Sequence, residues 1–439
     1  MNHDKKPSLW GTFKKRVGEA DRRFLFFASL EAVFWAMIVP SSYFVVFMYD
    51  QGFTNVEVGI GLAVNAIVNF IFLPIWGMVA DRLGSKRKTL LILYVGVCIS
   101  SVLTTFIVGN VWVTICLCGV VIAFRGSVPA LTDSWLVEET NKPDKMGNRL
   151  NYGPIRMCGS IGYAIAAYLF YLLFNNLNMD TSFSFLFSAI LCVFTYWLVA
   201  SYHKVNPDAQ ESNVQRIKVK MSELAPKRLF KNYYFLTFAF IYMLISVPGN
   251  FGMSYIATLL GELGGAPVFV GAISSIRALC EVPTLLFSRK IINKVGYVKT
   301  LFIIGALLFT EQLSYIVCNQ VWQVVAFQML HGSINGLLLG AAVNYIFSLV
   351  PRELSATAQT FCTAACSITA IAGNFLSGLV IDAFGVRMIY IICTICIGSA
   401  IALFALSLFI GKRLRIPKYD AETDEVSKNI LRKLQGESI

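Results

Sequence analysis

Charge is scarce in this chain: Asp, Glu, Lys and Arg make up only 14% of 439 residues, while 56% are hydrophobic. An average soluble domain is about a quarter charged. The shortfall excludes a disordered chain and argues against an ordinary soluble enzyme. No Ser-His-Asp set, metal-ligand cluster or phosphate-binding loop stands out, so neither catalysis nor a metal or other cofactor is expected. The eleven cysteines are an odd number. Several, such as Cys98, Cys192 and Cys393, sit inside apolar runs where they pack as small hydrophobes, and they imply no disulfide framework.

Long apolar runs are what the chain has in abundance. A membrane-crossing helix takes about 20 such residues. Polar breaks delimit twelve runs, at 24–48, 56–80, 89–108, 111–136, 153–174, 182–201, 233–260, 267–289, 300–318, 321–349, 356–381 and 386–411. This layout predicts an all-α membrane protein of twelve transmembrane helices in two six-helix bundles. The expected parts are a cytoplasmic N-terminal segment 1–23, a first bundle 24–201, a cytoplasmic linker 202–232, a second bundle 233–411 and a cytoplasmic tail 412–439. The tail has room for a short surface helix around 426–434. The first run is too long for a cleaved signal peptide and reads as an uncleaved span.

The net charge of +12 would suit nucleic acid only if the cations gathered on one folded face. They lie in loops instead. Lys and Arg concentrate in the N-terminal segment, in 82–88, 142–149, the linker, 289–299, at Arg352 and in 412–418, and are rare in the alternating loops, where Arg387 stands single. The positive-inside rule then places both termini in the cytoplasm. The expected partners are the lipid bilayer, a small-molecule substrate and protons, without nucleic acid. A functional monomer in a cell membrane, the bacterial cytoplasmic one, is expected.

One faint internal repeat is present. Asp81-Arg82-Leu83-Gly84 before Lys88-Thr89-Leu90 reads like Asn293-Lys294-Val295-Gly296 before Lys299-Thr300-Leu301, each after the second span of its half. With the six-plus-six layout it favours duplication of a six-helix unit.

An ionisable side chain at the bilayer centre costs from about 2.5 kcal/mol upward, so those that persist face a cavity, pair, or move ions. The first half holds Glu31, Arg125, Asp133 and Arg156; the second holds Arg277, Glu281, Glu311 and His331. At a helical rise of about 1.5 Å per residue, Glu281, Glu311 and His331 fall near the midplane, with Arg277 one turn from Glu281. Asp133 and Arg156 share a shallower depth and read either as partners or as interfacial groups snorkelling to headgroups. Glu31 and Arg125 read as an intramembrane ion pair between the first and fourth spans, structural or working. Two acids thus face two arginines in the first half. In the second, two carboxylates share one arginine and a histidine, and an unpaired acid there takes a proton. The proton-coupling candidates are therefore Glu281, Glu311, His331 and Arg277. Trp135 and Tyr163 read, on their own, as ordinary aromatic packing.

The segment Gly77-Met-Val-Ala-Asp81-Arg82-Leu-Gly84-Ser-Lys86-Arg87-Lys88 resembles the cytoplasmic loop signature of the major facilitator superfamily. Asp81 can bond a neighbouring helix end while the cations stay in the cytoplasm, a latch that breaks as the halves rock. The gating candidates are Gly77, Asp81, Arg82, Gly84 and Arg87. Asp133, Tyr152-Gly-Pro-Ile-Arg156-Met-Cys-Gly159-Ser-Ile-Gly162-Tyr163, Glu281-Val-Pro, Gln328-Met-Leu-His331-Gly332 and Leu354-Ser-Ala-Thr-Ala-Gln359 resemble the lactose permease-like branch. That branch includes oligosaccharide:proton symporters and phenylpropionate or nucleoside permease-like members, and the similarity runs from the first span to the twelfth.

The resemblance implies that Arg156 and Asp133 bind substrate hydroxyls, that Tyr163 stacks on an apolar sugar face where the branch has a tryptophan, and that His331 links substrate to proton. It also shows departures. Ile334 stands where the branch has an acid one turn after that histidine, the seventh-span acids are missing around 248–251, Ser367 replaces an eleventh-span lysine, and Glu311 takes an arginine's place. The relay must therefore be rewired, and galactoside specificity does not carry over.

The combined expectation is a secondary transporter performing proton-coupled symport of a small polar solute, foremost a sugar or oligosaccharide, by alternating access. Two rivals remain. A nucleoside or aromatic-acid symporter would need more stacking partners than Tyr163. A drug exporter would use Glu31 with Arg125 as its proton site.

Overall fold

The computed structural model of the chain describes residues 9–107, 109–141, 150, 152–205, 226–350 and 354–416. The loop 142–149, most of the linker, Arg352 and the tail beyond 416, with its expected helix at 426–434, lie outside the described residues. Among those described there is no strand, and twelve helices are long and apolar enough to cross a membrane. In chain order, the first to the twelfth span are Arg22–Asp50, Asn55–Leu83, Lys86–Phe106, Val111–Thr140, Gly153–Asn176, Phe183–Tyr202, Tyr233–Glu262, Pro267–Ser288, Tyr297–Val317, Val321–Leu349, Thr357–Phe384 and Arg387–Arg413.

The third span shows why this composition folds in lipid and not in water. Its hydroxyls Thr89, Ser100, Ser101, Thr104 and Thr105 are buried, whereas Ile92, Val95, Ile99, Leu103 and Phe106 are exposed at helical spacing. Ser100 and Thr104 donate back to the carbonyls of Gly96 and Ser100 at 2.7 and 2.9 Å, so burying these two hydroxyls leaves neither donor unmet. An apolar outer stripe over a polar inner face is stable only where the surroundings are hydrocarbon.

Three spans are interrupted. In the first, the helix Leu9–Met37 gives way to a 3-10 turn, Val39–Tyr43, at Pro40, and resumes as Phe44–Asp50. Pro40 has no N–H to continue the ladder. The fourth is a helix to Arg125, a break at Gly126, and a second helix from Val128. The seventh passes from Tyr233–Val247 through a π-helical turn at Pro248–Gly252 and a 3-10 turn at Met253–Tyr255 into Ile256–Glu262. Such breaks free backbone carbonyls in mid-membrane, and transporters use them where they line a polar site. Here Tyr390 donates its hydroxyl to the carbonyl of Gly252, 3.3 Å away.

Gly84 turns the chain between the second and third spans at φ +60°, and Gly296 does the same between the eighth and ninth at φ +87°. A side chain would strain either turn. Next to Gly84, Arg87 donates from Nε and Nη2 to the carbonyls of Val199 and Ala200 at the end of the sixth span, 3.0 and 3.1 Å away. Lys86 pairs with Glu138 at 3.1 Å. The cations after the turn therefore bind the closing turns of the sixth-span helix and the end of the fourth span.

The chain forms two compact units, Met1–Tyr43 with Ile71–Asn213, and Phe44–Phe70 with Val214–Ile439. The first is built on Phe27, Phe34, Tyr94, Trp135 and Tyr202, and the second on Phe238, Ile304, Tyr345 and Phe404. Each contains a seam where a bare glycine lets two spans touch backbone to backbone. In the first unit Gly162 of the fifth span lies on Ala32 of the first; in the second, Gly332 and Gly336 of the tenth lie on the backbone at Arg277 and Glu281 of the eighth. Small residues at four-residue spacing allow this approach. Both seams run beside buried ionisable groups.

Candidate functional site

In the first unit the seam brings Glu31, Trp35, Asp133 and Arg156 together. Glu31 is 1% exposed. Trp35, one turn further along the same helix, donates its indole N–H to Glu31 Oε2 at 2.9 Å. The Arg156 guanidinium lies over the Trp35 ring, 4.1 Å from its centroid, and Arg156 Nε is 4.0 Å from Asp133 Oδ1. Gly159 leaves room for the indole and for Glu31 Oε2. Two atoms of opposite character, Glu31 Oε1 and Arg156 Nη1, are buried with no hydrogen-bond partner among the described residues.

In the second unit the centre is Glu311, with 0% exposure. His331 Nδ1 lies 2.9 and 3.0 Å from its two carboxylate oxygens, and the His331 side chain keeps 12% exposure. Tyr315, again one turn further along, donates its hydroxyl to Glu311 Oε1 at 3.0 Å. Gln328 donates to that hydroxyl at 3.0 Å and approaches Met253 Sδ at 3.5 Å. The ninth and tenth spans thus hold a buried carboxylate against a partly exposed imidazole.

The structure brings some of the expected residues together and separates others. Asp133 and Arg156 meet, and so do Glu311 and His331. Glu31 and Arg125 do not form the expected ion pair. Arg125 is buried beside Cys118 of its own helix. Glu31 joins the Asp133–Arg156 cluster instead, within electrostatic range of both. Tyr163 is hydrogen-bonded to Ser42 through its hydroxyl. Arg277 points Nη1 at Met253 Sδ, 3.4 Å away, and Glu281 is half-buried one turn on, its carbonyl accepting from Thr284 at 2.8 Å. In the loop signature, Asp81 and Arg82 are exposed and Gly77 has open space around it.

Trp35 and Tyr315 are residues of these clusters that the sequence does not single out, and Gln328 enters it only as part of the segment 328–332, without a role. A signal is present: Glu31/Trp35 and Glu311/Tyr315 share an i, i+4 spacing of acid and aromatic donor, which places both on one helix face. Gln328, three residues before His331, lies on the same face as the histidine.

Twelve spans in two units, each with an intramembrane acid cluster at a glycine seam, define a secondary transporter, a multi-pass membrane protein of the major facilitator fold. The chain belongs to the MFS_1 like family, whose model matches residues 23–392. It is similar to an uncharacterized transporter, YwbF of Bacillus subtilis, with 27% identity over 374 residues, 83% of this chain and 86% of that one. The maltose permease of Geobacillus stearothermophilus is 23% identical over 382 residues, 86% of this chain and 93% of its own length. The crystal structure of the nucleoside transporter NupG matches the fold with a TM-score of 0.70 at 14% identity, covering 89% of this chain and 99% of that one.

Proposed function

We propose that the protein is a proton symporter for a small polar solute, first a sugar or oligosaccharide, that works by alternating access with both termini in the cytoplasm. The observation that carries the proton half is Glu311, fully buried and bonded to the partly exposed His331. A carboxylate sealed from water is stable only when paired or protonated, and an imidazole beside it can pass a proton in either direction. Glu281 and Arg277, on the seam with the tenth span, belong to the same relay. The solute half rests on Arg156 and Asp133, whose fork and acceptor suit hydroxyl pairs, with Tyr163 as a further contact. His331 couples solute to proton, and the 77–87 signature is the gate. The maltose permease among its relatives supports a sugar.

A second reading is a nucleoside. The half-buried Trp35 ring beside Arg156 supplies a stacking surface beyond Tyr163. Uptake into proteoliposomes under an imposed pH gradient, with labelled sugars and nucleosides run side by side, separates the readings. Accumulation of neither solute class, or accumulation indifferent to the gradient, defeats the symport reading.

A further inference from the structure

We propose that Glu31 is a second proton-binding group, and that its proton is linked to occupancy of Arg156 by the solute. This deepens the symport reading above and rests on it.

The linkage arises from the hydrogen-bond arrangement of the first unit. An ionised carboxylate buried in apolar surroundings needs donors on both oxygens. Glu31 receives one, the neutral indole N–H of Trp35 on Oε2, while Oε1 receives none among the described residues. The cation in reach, Arg156, is held over the indole ring and toward Asp133. Arg125, which would have balanced Glu31, stands apart beside Cys118. The groups facing Glu31 from the packed spans are Asp133 of the fourth, Arg156 and Cys158 of the fifth and Tyr94 of the third. Only Arg156 among them is a cation.

Any solute group that engages the Arg156 guanidinium draws its field away from Glu31, and Glu31 then binds a proton more tightly. By reciprocity, a proton on Glu31 releases Arg156 for the solute. Proton and solute thus favour each other's binding, as symport requires. The proton arrives from water and leaves to water; the bond formed and broken is O–H at Oε1.

The test needs no solute, because the titrant is the proton. Infrared difference spectra of the full chain in liposomes, taken between acid and alkaline pH, report the C=O stretch of protonated carboxyls. The expected result is a band lost in Glu31→Gln and retained in Glu311→Gln. In Arg156→Gln, which mimics a guanidinium drawn away, proton binding at that band should tighten at least tenfold. Trp35→Phe keeps the acid but removes its donor, and should move the band to higher frequency. A spectrum unaltered by Glu31→Gln overturns the inference, as does a band whose midpoint ignores Arg156→Gln. If Glu31→Gln does not fold, a band that stays put in Trp35→Phe overturns it equally. Uptake indifferent to a pH gradient defeats the symport reading even if the band belongs to Glu31; gradient-driven uptake with no Glu31 band defeats this inference alone.

Discussion

The guanidinium of Arg156 stacks on the indole of Trp35 at 4.1 Å, and that same indole donates to Glu31. One aromatic ring therefore orients both the cation and the acid of the first unit. A lysine has neither the flat face nor the fork for this arrangement. Arg156→Lys should raise the KM for solute at least tenfold, a loss of about 1.4 kcal/mol, with gradient-driven maximal uptake much less affected. Concentration-dependent uptake measures the split, and an unchanged KM would remove Arg156 from the solute site.

Glu311→Gln keeps the shape and the bond to Tyr315 but cannot exchange a proton. Wild-type uptake should rise as external pH falls, because the proton is a co-substrate. In the variant that slope should flatten and accumulation against a gradient should disappear, while solute-for-solute exchange continues. Persistence of accumulation would exclude Glu311 as the coupling group.

Tyr315 links two buried polar groups, donating to Glu311 and accepting from Gln328. Tyr315→Phe leaves the Gln328 amide with only the thioether of Met253 and removes a donor from the carboxylate. A loss of about 1–3 kcal/mol is expected, read as a lower midpoint of thermal unfolding in detergent. An unchanged midpoint would show that the bond contributes nothing net.

Gly332 lies so close to the backbone of Arg277 that an added Cβ has no side chain to push aside. Gly332→Ala should destabilise the second unit by about 1–3 kcal/mol. Gly261→Ala is the control: its nearest neighbour would be Pro267 Cγ at 4.0 Å, and alanine is the better helix former. Equal midpoints for the two variants would argue against a close-packed seam.

Arg387 donates from Nη1 and Nη2 to the carbonyls of Ile316 and Cys318, both at 3.0 Å, where the ninth span ends, and stands 3.7 Å from Glu262. Arg387→Gln should cost about 1–2 kcal/mol through the lost helix cap. Glu262→Gln should cost little, since an exposed pair contributes under about 1 kcal/mol. Unfolding midpoints of the two variants decide whether the cap or the ion pair matters.

The spans were legible because length and hydropathy are local properties. The run expected at 386–411 is the twelfth span Arg387–Arg413, and that at 300–318 is Tyr297–Val317. The breaks in the first and seventh spans fall at Pro40 and Pro248, residues whose missing N–H is visible in the chain. The break after Arg125 was less visible, since Gly126 and Ser127 sit in an otherwise continuous apolar run. Nor does the sequence show that Arg125 lies beside Cys118, so that Glu31 and Asp133 gather around Arg156 instead.

The amino-acid order by itself determined the number of spans, their membrane setting, the turns at Gly84 and Gly296, and which ionisable groups fall within the apolar spans. Each depends only on residue type and spacing along one helix. The partners of Glu31, and the enclosure of Glu311 behind His331, were decided only by tertiary structure. A membrane span is apolar on the face toward lipid and on the face toward its neighbours, so hydrophobicity does not mark which side turns inward. The rotation of each helix, and hence who meets whom, is set by where a glycine allows close approach and where a proline or glycine interrupts the helix.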